Sequence, residues 1–477
     1  MCSLNTDLQK AIADIEQLFE VDKAFLCKAT DHFVKCMDAG LTNEVPNRVY
    51  MPMLPTFVTS IPTGKENGLF LAVDLGGTNF RVCSIDLKGD HTFELKQSKF
   101  PVPIDLMRGS TSDLLFSFFA EKVKNFLEEH HEELDESITL KMGFTFSFPV
   151  DQTAIDSGKL IRWTKGFDLP DCIGCDVVKY FQKHLDLLNL PVMITALAND
   201  TVGTLLSRAY TNDRSASKSR TLIGAIFGTG TNGAYFESIS NIPKLCGTSF
   251  PELATGMVIN TEWGSFDNSL DILPSTKYDE LVDQNTSNKG YHLFEKRISG
   301  MFLGEILRVI LIDLFERGLI FVELFRSRNG SLPHRLTEPF LLSSKVLSYL
   351  EIDDSTDLHM SELLLQNELR LPTTYSERLL IQSVTRAISR RAAYLSAIPL
   401  AAIVKRVKGQ YSDEDDDFEV GCDGSLIEHY PGFRDKILEA FNTINPLEGC
   451  SKKLHIRIAK DGSGVGAALC ASTVGKS

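Results

Sequence analysis

The first half of the chain places short apolar runs and amphipathic segments in a regular order. Leu69 to Leu75 is a nearly continuous apolar run, and two alternating segments follow it, so three strands joined by tight turns are predicted. The elements predicted after Leu75 are strands Phe80–Leu87 and Phe93–Phe100, helix Leu114–Leu127, strand Leu140–Phe148, helix Val177–Leu188 and strand Pro191–Leu197. Their order is β-β-β-α-β-α-β.

A second unit of the same kind follows a polar stretch from Thr211 to Arg220, which we expect to be solvated. Gly77-Thr78-Asn79 aligns with Gly230-Thr231-Asn232, with a buried strand before each turn and another strand after it. The elements predicted for this part are strands Thr221–Phe227 and Ala234–Ile239, helices Phe294–Leu319 and Ser376–Val407, strands Phe418–Cys422 and Lys453–Ile458, and a helix from Gly466 to Ser472. The pattern predicts an α/β protein of two related halves, each a mixed sheet, with a cleft between them.

Composition limits the class of protein. The 477 residues are 43% hydrophobic, enough for two packed cores, and the net charge of −14 would repel nucleic acid and anionic lipid surfaces. No uninterrupted apolar stretch approaches the ~18 residues that cross a bilayer. The N-terminal segment spaces Leu8, Ile12, Ile15 and Leu18 as one helical face, unlike a signal peptide. We therefore expect a cytoplasmic protein.

Two further features are given structural interpretations. Cys172 and Cys175 are closely spaced, but no second pair or nearby histidine completes a zinc site, so the ten cysteines are expected to be reduced thiols. The acidic run within residues 412–417 is expected to be a solvated loop.

Three glycine-rich turns, each after an apolar strand, are the first candidates for chemistry. They begin at Asp74, Gly228 and Asp461, and glycines there would let backbone N–H groups approach a phosphate. The second turn also fits G-x-G-x-x-G, but a strand rather than a helix follows it, which argues against a dinucleotide site. A Walker A loop is absent because neither Gly64-Lys65 nor Gly158-Lys159 precedes Ser or Thr. A pair of hairpin phosphate loops, one in each half, is therefore predicted.

A candidate general base follows strand Pro191–Leu197. Asp200 lies directly beyond the carboxyl end of that strand, where open α/β sheets bind ligands, and phosphoryl transfer to a hydroxyl needs a base. Asp200 or Asn199 could equally cap a helix that begins near Val202. The two roles are compatible, so both stay open here.

Longer segments carry a resemblance to a known family. The chain resembles the eukaryotic hexokinases of the actin-like ATPase superfamily over essentially its whole length, and most of all the fungal glucokinases. The segments are Phe70–Arg81, Gly143–Pro149, Arg162–Phe167, Asn199–Thr204, Phe227–Asn232, Asn260–Gly264, Leu293–Arg297, Gly421–Ser425 and Asp461–Gly464. Cys422 and the loop from Asn241 to Gly256 depart from the family pattern.

The resemblance implies a sugar site and assigns its chemistry. The implied sugar contacts are Ser147, Thr164, Lys165, Asn199, Asp200, Asn232, Glu262 and Glu295. It also implies that Asp200 accepts the proton of the sugar hydroxyl and that Lys165 supplies positive charge near the transferred group. Without the resemblance, Glu295 would be interpreted as a solvated residue at the start of a helix.

A nucleotide site for ATP with Mg²⁺ is implied in the same way. Asp74 would hold Mg²⁺ through water, because that cation releases its waters reluctantly. The implied nucleotide contacts are Gly76, Gly77, Thr78, Asn79 and Arg81 in the first loop, Gly228, Thr229 and Gly230 in the second, and Gly424, Ser425, Gly462 and Ser463 toward the adenosine.

The resemblance further implies a ribonuclease H-like two-domain architecture, a small domain of residues 65–200 plus about 460–477, and a large domain of 1–64 plus 201–459. The expected activity is phosphorylation of the 6-hydroxyl of D-glucose, with mannose as a further candidate substrate. The alternatives are a broad-specificity hexokinase that also uses fructose, a non-catalytic glucose-sensing regulator, and an actin-like or chaperone ATPase. A monomer and a homodimer both remain open.

Overall fold

The computed structural model describes residues 6–42, 51–76, 79–109, 111–132, 138–163, 166–248, 254–322, 331–411 and 416–473. The strands are β1 (Leu54–Pro55), β2 (Asn67–Leu75), β3 (Asn79–Lys88), β4 (Phe93–Pro101), β5 (Leu140–Phe146), β6 (Val150–Ala154), β7 (Ser157–Leu160), β8 (Val192–Ala198), β9 (Ser219–Phe227), β10 (Thr231–Ser238), β11 (Gly256–Asn260), β12 (Asp417–Asp423) and β13 (Leu454–Ile458).

Helices cover and connect these strands. The α-helices span Thr6–Phe19, Lys23–Leu41, Ile104–Met107, Asp113–His130, Val177–Leu187, Asp200–Thr211, Arg214–Ser217, Lys277–Gln284, Glu295–Ile298, Gly300–Glu316, His334–Thr337, Ser344–Ile352, His359–Leu364, Tyr375–Val407, Ser425–His429, Phe433–Ile444 and Gly462–Thr473.

The first sheet has the strand order β4-β3-β2-β5-β8. β2, β3 and β4 form an antiparallel meander, while β5 and β8 join β2 in parallel. Parallel neighbours need a crossover, and helices Asp113–His130 and Val177–Leu187 supply the two crossovers. Buried aromatic rings, including stacked Phe80 and Phe119, fill the layer between these helices and the sheet.

The second sheet repeats this topology. Its order is β1-β11-β10-β9-β12-β13, so β9 to β13 take the places of β2, β3, β4, β5 and β8. β9, β10 and β11 are antiparallel, and β12 and β13 extend the sheet in parallel. The repeat of one supersecondary unit predicted from the sequence is confirmed, although β11, the third strand of the second unit, was not located, and β1 is an addition at the edge.

A large helical layer covers the second sheet. Its central helix, Tyr375–Val407, starts with a capping box between Thr374 and Glu377. This helix is long and apolar enough to cross a membrane by length and composition, but 89% of its apolar window is buried inside the protein. Midway along it, Arg391 forms a buried ion pair with Asp279, with an N–O distance of 2.7 Å. The helix is therefore a core element of a globular fold.

The two sheets are joined where helix Asp200–Thr211 crosses helix Gly462–Thr473. A β-carbon at Gly466 would lie 2.0 Å from Cα of Gly203, and one at Gly203 would lie 2.5 Å from the carbonyl oxygen of Gly462. Only glycine permits backbones this close. The final helix also contacts the first sheet, because a β-carbon at Gly143 would lie 2.0 Å from the carbonyl oxygen of Ala467.

Some predicted helices have other bounds. The segment predicted as helix Phe294–Leu319 is interrupted at Ser299, whose backbone is extended, and a second helix runs from Gly300 to Glu316. The final helix begins at Gly462 instead of Gly466, so the third glycine turn is a helix start. At the N-terminus Phe19 is buried while Leu18 is 46% exposed, which shifts the predicted apolar face by one residue.

Some strands also differ from the prediction. The strand predicted as Leu140–Phe148 ends at Phe146, and strands β6, β7 and β11 were not predicted. Of the acidic run within 412–417, residues 412–415 lie outside the described residues.

Candidate active site

Asp200 begins a helix directly after the carboxyl end of β8. Oδ1 of Asn199 accepts a 3.0 Å hydrogen bond from the backbone N–H of Thr201, so Asn199 is the N-cap. The same N–H lies 2.9 Å from Oδ1 of Asp200, which orients this carboxylate at the positive end of the helix. The segment therefore caps the helix and also presents a carboxylate at the edge of the sheet.

The turn between β9 and β10 is closed and holds a carboxylate at its tip. The N–H of Gly228 donates to the carbonyl of Gly230 at 3.0 Å. The N–H of Thr231 donates a 3.0 Å hydrogen bond to Oε2 of Glu295. A β-carbon at Gly230 would lie only 2.8 Å from that oxygen, so a larger residue there would displace the Glu295 carboxylate. Glu295 is thus held by the hairpin, and the interpretation of it as a solvated helix-start residue is wrong.

A network of amides and a carboxylate lies beside this hairpin. Nδ2 of Asn232 donates to Oδ1 of Asn260 at 2.8 Å and to Oε1 of Glu262 at 3.0 Å. Nδ2 of Asn260 donates to the same Glu262 oxygen at 2.8 Å. Glu262 has a left-handed backbone with φ 52° and ψ 44°, an uncommon conformation for a non-glycine residue. Side chains of these types can satisfy the hydroxyls of a sugar in directional pairs.

Trp263 supports the network from the buried side. Its ring is fully buried, and its Nε1 donates a 2.9 Å hydrogen bond to the hydroxyl of Thr231. A β-carbon at Gly233 would come within 2.1 Å of the indole, so a glycine is needed where the strand passes the ring.

Asp74, near the end of β2, belongs to a second network. Its Oδ2 accepts hydrogen bonds from Nη2 of Arg81 at 3.1 Å and from the hydroxyl of Ser463 at 2.9 Å. Nη1 of Arg81 donates to Oδ1 of Asp461 at 3.2 Å. The hydroxyl of Thr145 donates to the carbonyl of Ser463 at 3.0 Å. These bonds fix the start of the final helix against β2, β3 and β5.

The turn at Gly424 lies against the second hairpin. A β-carbon at Gly228 would lie 3.2 Å from Cα of Gly424. Burial raises the pKa of the adjacent Asp423 carboxyl, and the neighbouring Glu428 carboxyl adds to that rise, against the opposing effect of the Gly424 N–H. The turn that carries Asp423 and Gly424 therefore packs directly on the second hairpin.

The start of helix Asp200–Thr211 lies between β9, which leads to the second hairpin, and the start of the final helix. On one side, a β-carbon at Gly224 of β9 would lie 2.5 Å from the carbonyl oxygen of Thr201. On the other, the hydroxyl of Thr204 donates to the carbonyl of Asp200 at 2.9 Å, and a β-carbon at Gly462 would lie 2.7 Å from that hydroxyl. The Asp200 backbone is therefore held between the strand leading to the second hairpin and the helix that begins beside the first.

The other predicted sugar contacts are only partly described. Ser147 directly follows β5, and its N–H donates a 3.4 Å hydrogen bond to the carbonyl of Leu75, so it lies at the same sheet edge as Asp74. Thr164 and Lys165 lie outside the described residues. Just before them, Trp163 is anchored in the first core by a 2.8 Å hydrogen bond from its Nε1 to the carbonyl of Leu169.

The other predicted nucleotide contacts lie at the two hairpins and at a helix start. Gly76 and Asn79 flank the first turn, whose residues Gly77 and Thr78 lie outside the described part of the chain. The carbonyl of Thr229 accepts a 3.1 Å hydrogen bond from the N–H of Met301. Ser425 begins the short helix Ser425–His429.

Sequence reasoning missed three residues that hold the site together. Asn260, Asp461 and Asp423 each lie inside a segment that carried the family resemblance, but none was named as a site residue. Asp461 has a positive φ of 45°, and its side chain is the second carboxylate on Arg81. The sequence offered one signal for such residues, namely a polar residue beside a glycine-rich turn. That signal alone does not distinguish a side chain that orients the site from one on the surface.

Two sheets of one topology, each with a glycine-rich turn after its first strand, define the actin-like ATPase fold. Two family models, both described as hexokinase, match residues 11–210 and 222–473. The chain belongs to the hexokinase family, and it is an ATP-dependent hexose kinase.

Individual relatives agree with this assignment. Glucokinase-1 of Saccharomyces cerevisiae is 50% identical over 98% of this chain and 99% of the relative. The glucokinase of Aspergillus niger is 42% identical over 99% of this chain and 98% of the relative. Among solved structures, the hexokinase of Schistosoma mansoni complexed with glucose superposes with a TM-score of 0.84 at 32% identity, covering 98% of this chain and 99% of the other. The chain is therefore most similar to fungal glucokinases within its family.

Proposed function

We propose that this kinase transfers the terminal phosphoryl group of ATP to the 6-hydroxyl of D-glucose, the first step of glycolysis, with Asp200 as the general base. The observation that carries the proposal is the position of Asp200 at a helix start held between the strand that leads to the second hairpin and the final helix, which begins beside Asp74. A carboxylate at that place can accept the hydroxyl proton while the phosphates are held on either side. Glucose is favoured as the acceptor because the relatives at 42–50% identity are glucokinases.

The sugar side of the site consists of Asn232, Glu262 and Glu295, with Ser147, Thr164 and Asn199 completing the predicted set. Glu262 and Glu295 are held by hydrogen bonds from neighbouring donors, so their carboxylates are oriented before a sugar arrives. A site built on directional pairs rejects a ligand that lacks a hydroxyl far more strongly than an apolar pocket does. Lys165 would add positive charge beside the transferred group.

The nucleotide side fits ATP with Mg²⁺. Asp74 and Asp461 both contact Arg81, so two carboxylates, whose oxygens are the hard ligands that Mg²⁺ prefers, lie close together. Asp74 would hold Mg²⁺ through water, and the ion would neutralise charge that develops on the phosphates. The N–H groups of the two hairpins would orient those phosphates.

The domain division follows the two sheets. We assign residues 65–200 with about 460–477 to the small domain and the remainder to the large one, because the final helix packs on β5 of the first sheet. Closure of the domains around a sugar would exclude water from the phosphates. We also propose a cytoplasmic location, since none of the cysteines in the described ranges forms a disulfide.

Initial rates in a coupled assay test the substrate assignment. Saturating ATP with glucose, mannose or fructose as acceptor should give the highest kcat/KM for glucose. Equal values for fructose would favour the broad-specificity hexokinase. Glucose binding without turnover would favour the regulator.

ATP hydrolysis without sugar tests the water-exclusion argument. The sugar-independent rate should be at least about a hundredfold below the kinase rate, because water enters an open site without being aligned. A hydrolysis rate equal to the kinase rate would contradict the proposal and favour an actin-like ATPase.

A further inference from the structure

Three side chains with metal-binding donors converge away from the nucleotide hairpins, between an N-terminal helix and a loop, and a cysteine adjoins one of them. His32 and Cys36 lie one turn apart on helix Lys23–Leu41, and so project from the same face. Asp267 and Asp271 lie on the loop that follows the 3₁₀ turn Trp263–Ser265. One donor atom from each of His32, Asp267 and Asp271 falls within 4.8 Å of the others.

The distances around His32 match the edges of a tetrahedral metal site. Nε2 of His32 is 3.4 Å from Oδ1 of Asp267 and 3.6 Å from Sγ of Cys36. Zinc bond lengths of about 2.0 Å to nitrogen and oxygen and about 2.3 Å to sulfur give donor separations near 3.3 Å and 3.6 Å at tetrahedral angles. His32 is therefore at bridging distance from both Asp267 and Cys36. The donors of His32, Asp267 and Asp271 already lie within 4.8 Å of one another, and Sγ of Cys36 would have to move toward the two carboxylates to share the ion.

Asp267 is oriented by the backbone around it. Its side chain is fully buried, and its oxygens accept hydrogen bonds from the N–H groups of Asp271 at 3.0 Å, Ile272 at 2.9 Å and Leu273 at 2.7 Å. Hydrogen bonds of this kind fix the orientation of ligating carboxylates in metal sites. Asp271 is exposed and His32 partly exposed, so an ion could enter from solvent on that side.

We propose that His32, Cys36, Asp267 and Asp271 form a binding site for Zn²⁺. The donor set is one imidazole, one thiolate and two carboxylates, which suits a borderline-soft ion of tetrahedral preference better than Mg²⁺. The site is separate from the proposed nucleotide-bound Mg²⁺. Its loop continues the segment that carries Glu262, and Phe266 in that loop packs against Phe33 of the same helix and against Phe294, next to Glu295.

The thiol must lose its proton when the ion binds. Burial, reinforced by the charges of Asp267 and Asp271, raises the pKa of the Cys36 thiol to about 12. Without the ion the sulfur therefore carries a proton at neutral pH. Coordination forms a metal–sulfur bond and releases that proton to solvent.

Titration of the untagged full-length protein with Co²⁺ tests the site, because a thiolate ligand gives a charge-transfer band in the near ultraviolet. Excess Mg²⁺ should be present throughout to fill the nucleotide site. One equivalent of Co²⁺ should produce the charge-transfer band and tetrahedral ligand-field absorption, and Zn²⁺ should remove both. Cys36→Ser should abolish the charge-transfer band. Asp271→Asn, a change at an exposed side chain, should weaken binding by about tenfold.

Cys246→Ser is the matched control, since Cys246 is an exposed cysteine away from the cluster, and it should leave the spectrum unchanged. Circular dichroism and the thermal midpoint of each variant confirm that it folds. Absence of a thiolate band in the wild-type protein, or an unchanged band in Cys36→Ser, would overturn the proposal. Unchanged Co²⁺ affinity in Asp271→Asn would remove that carboxylate from the site.

Discussion

The hydroxyl of Ser463 donates a 2.9 Å hydrogen bond to Oδ2 of Asp74, although the two residues are 389 positions apart in the chain. Asp74 lies near the end of the strand before the first hairpin, and Ser463 lies in the first turn of the final helix. The bond therefore joins the first sheet to the final helix at the place where the nucleotide phosphates are proposed to bind.

Ser463→Ala should weaken use of the nucleotide and leave the sugar side intact. Removal of a hydrogen bond to a charged group costs about 2 kcal/mol, so kcat/KM for ATP should fall by about tenfold or more. The glucose dissociation constant should stay within about twofold. Steady-state kinetics at varied ATP, with calorimetric titration of glucose, measures both.

Ser472→Ala on the same helix is the control for Ser463, because its hydroxyl donates to the carbonyl of Leu469 within the helix. It should behave as the wild type. Wild-type nucleotide kinetics in Ser463→Ala would show that this bond does not orient the phosphate site.

Asn260→Ala should affect the sugar side. Asn260 donates to Oε1 of Glu262, whose left-handed backbone makes its position depend on such contacts. We expect KM for glucose to rise by about tenfold, while KM for ATP stays near its wild-type value.

The control for Asn260 is Asn241→Ala, because Asn241 also donates to a carboxylate, Oε1 of Glu237, at 2.9 Å. This variant should keep the wild-type KM for glucose. The same rise in both variants would mean that the effect is a general loss of stability.

The buried pair of Asp279 and Arg391 should make stability depend on pH in the acid range. Burial acts to raise the pKa of the Asp279 carboxyl, but the Arg391 charge and its hydrogen bonds outweigh burial and lower the pKa from 3.8 to about 2. A lowered pKa in the folded state means that the stabilisation is complete above about pH 4 and is lost as the pH falls toward 2.

Asp279→Asn measures that contribution. At pH 7 the variant should lose about 3 kcal/mol of unfolding free energy, because the Arg391 charge stays buried without its partner. The difference between wild type and variant should shrink as the pH falls below about 4. Urea unfolding at several pH values measures this difference in unfolding free energy. Glu280→Gln, a change at an exposed neighbouring residue, is the control. A difference that stays constant from pH 7 to 3 would contradict the assigned pKa.

The repeated topology could be predicted because it depends on local patterns. Strands β2, β3, β4, β9 and β12 show apolar runs or alternation that single segments reveal, and helix Tyr375–Val407 is long enough for its period to be clear. β11 was missed because Gly256–Asn260 is a short, fully buried run that follows a segment without any period. The helix break at Ser299 was missed because apolar spacing continues through it.

The start of the final helix shows where local rules mislead. The sequence pattern predicts a turn at Gly462, Gly464 and Gly466, because glycine disfavours helices. The structure places them inside a helix, where Gly203 of the crossing helix leaves no room for a β-carbon at Gly466 and Thr204 leaves little at Gly462. That reason is a contact between segments distant in sequence, which no local pattern contains.

The site residues divide in a similar way. Asp200, Asn232, Glu262 and Glu295 could be named because each lies in a segment that resembles the family. The residues that orient them, such as Asn260 and Asp461, act through distant partners that only the folded chain brings close. The assigned catalytic roles themselves remain predictions.

Asp200→Asn provides the most direct test of the account. The amide keeps the size of the side chain but cannot accept the hydroxyl proton, so kcat should fall by about a thousandfold while the glucose dissociation constant changes by less than about tenfold. Asp213→Asn, a change at a partly exposed helix cap, is the control and should keep full activity. A coupled kinase assay with calorimetric glucose titration gives both values, and an Asp200→Asn enzyme that retains most of its kcat would contradict the mechanism.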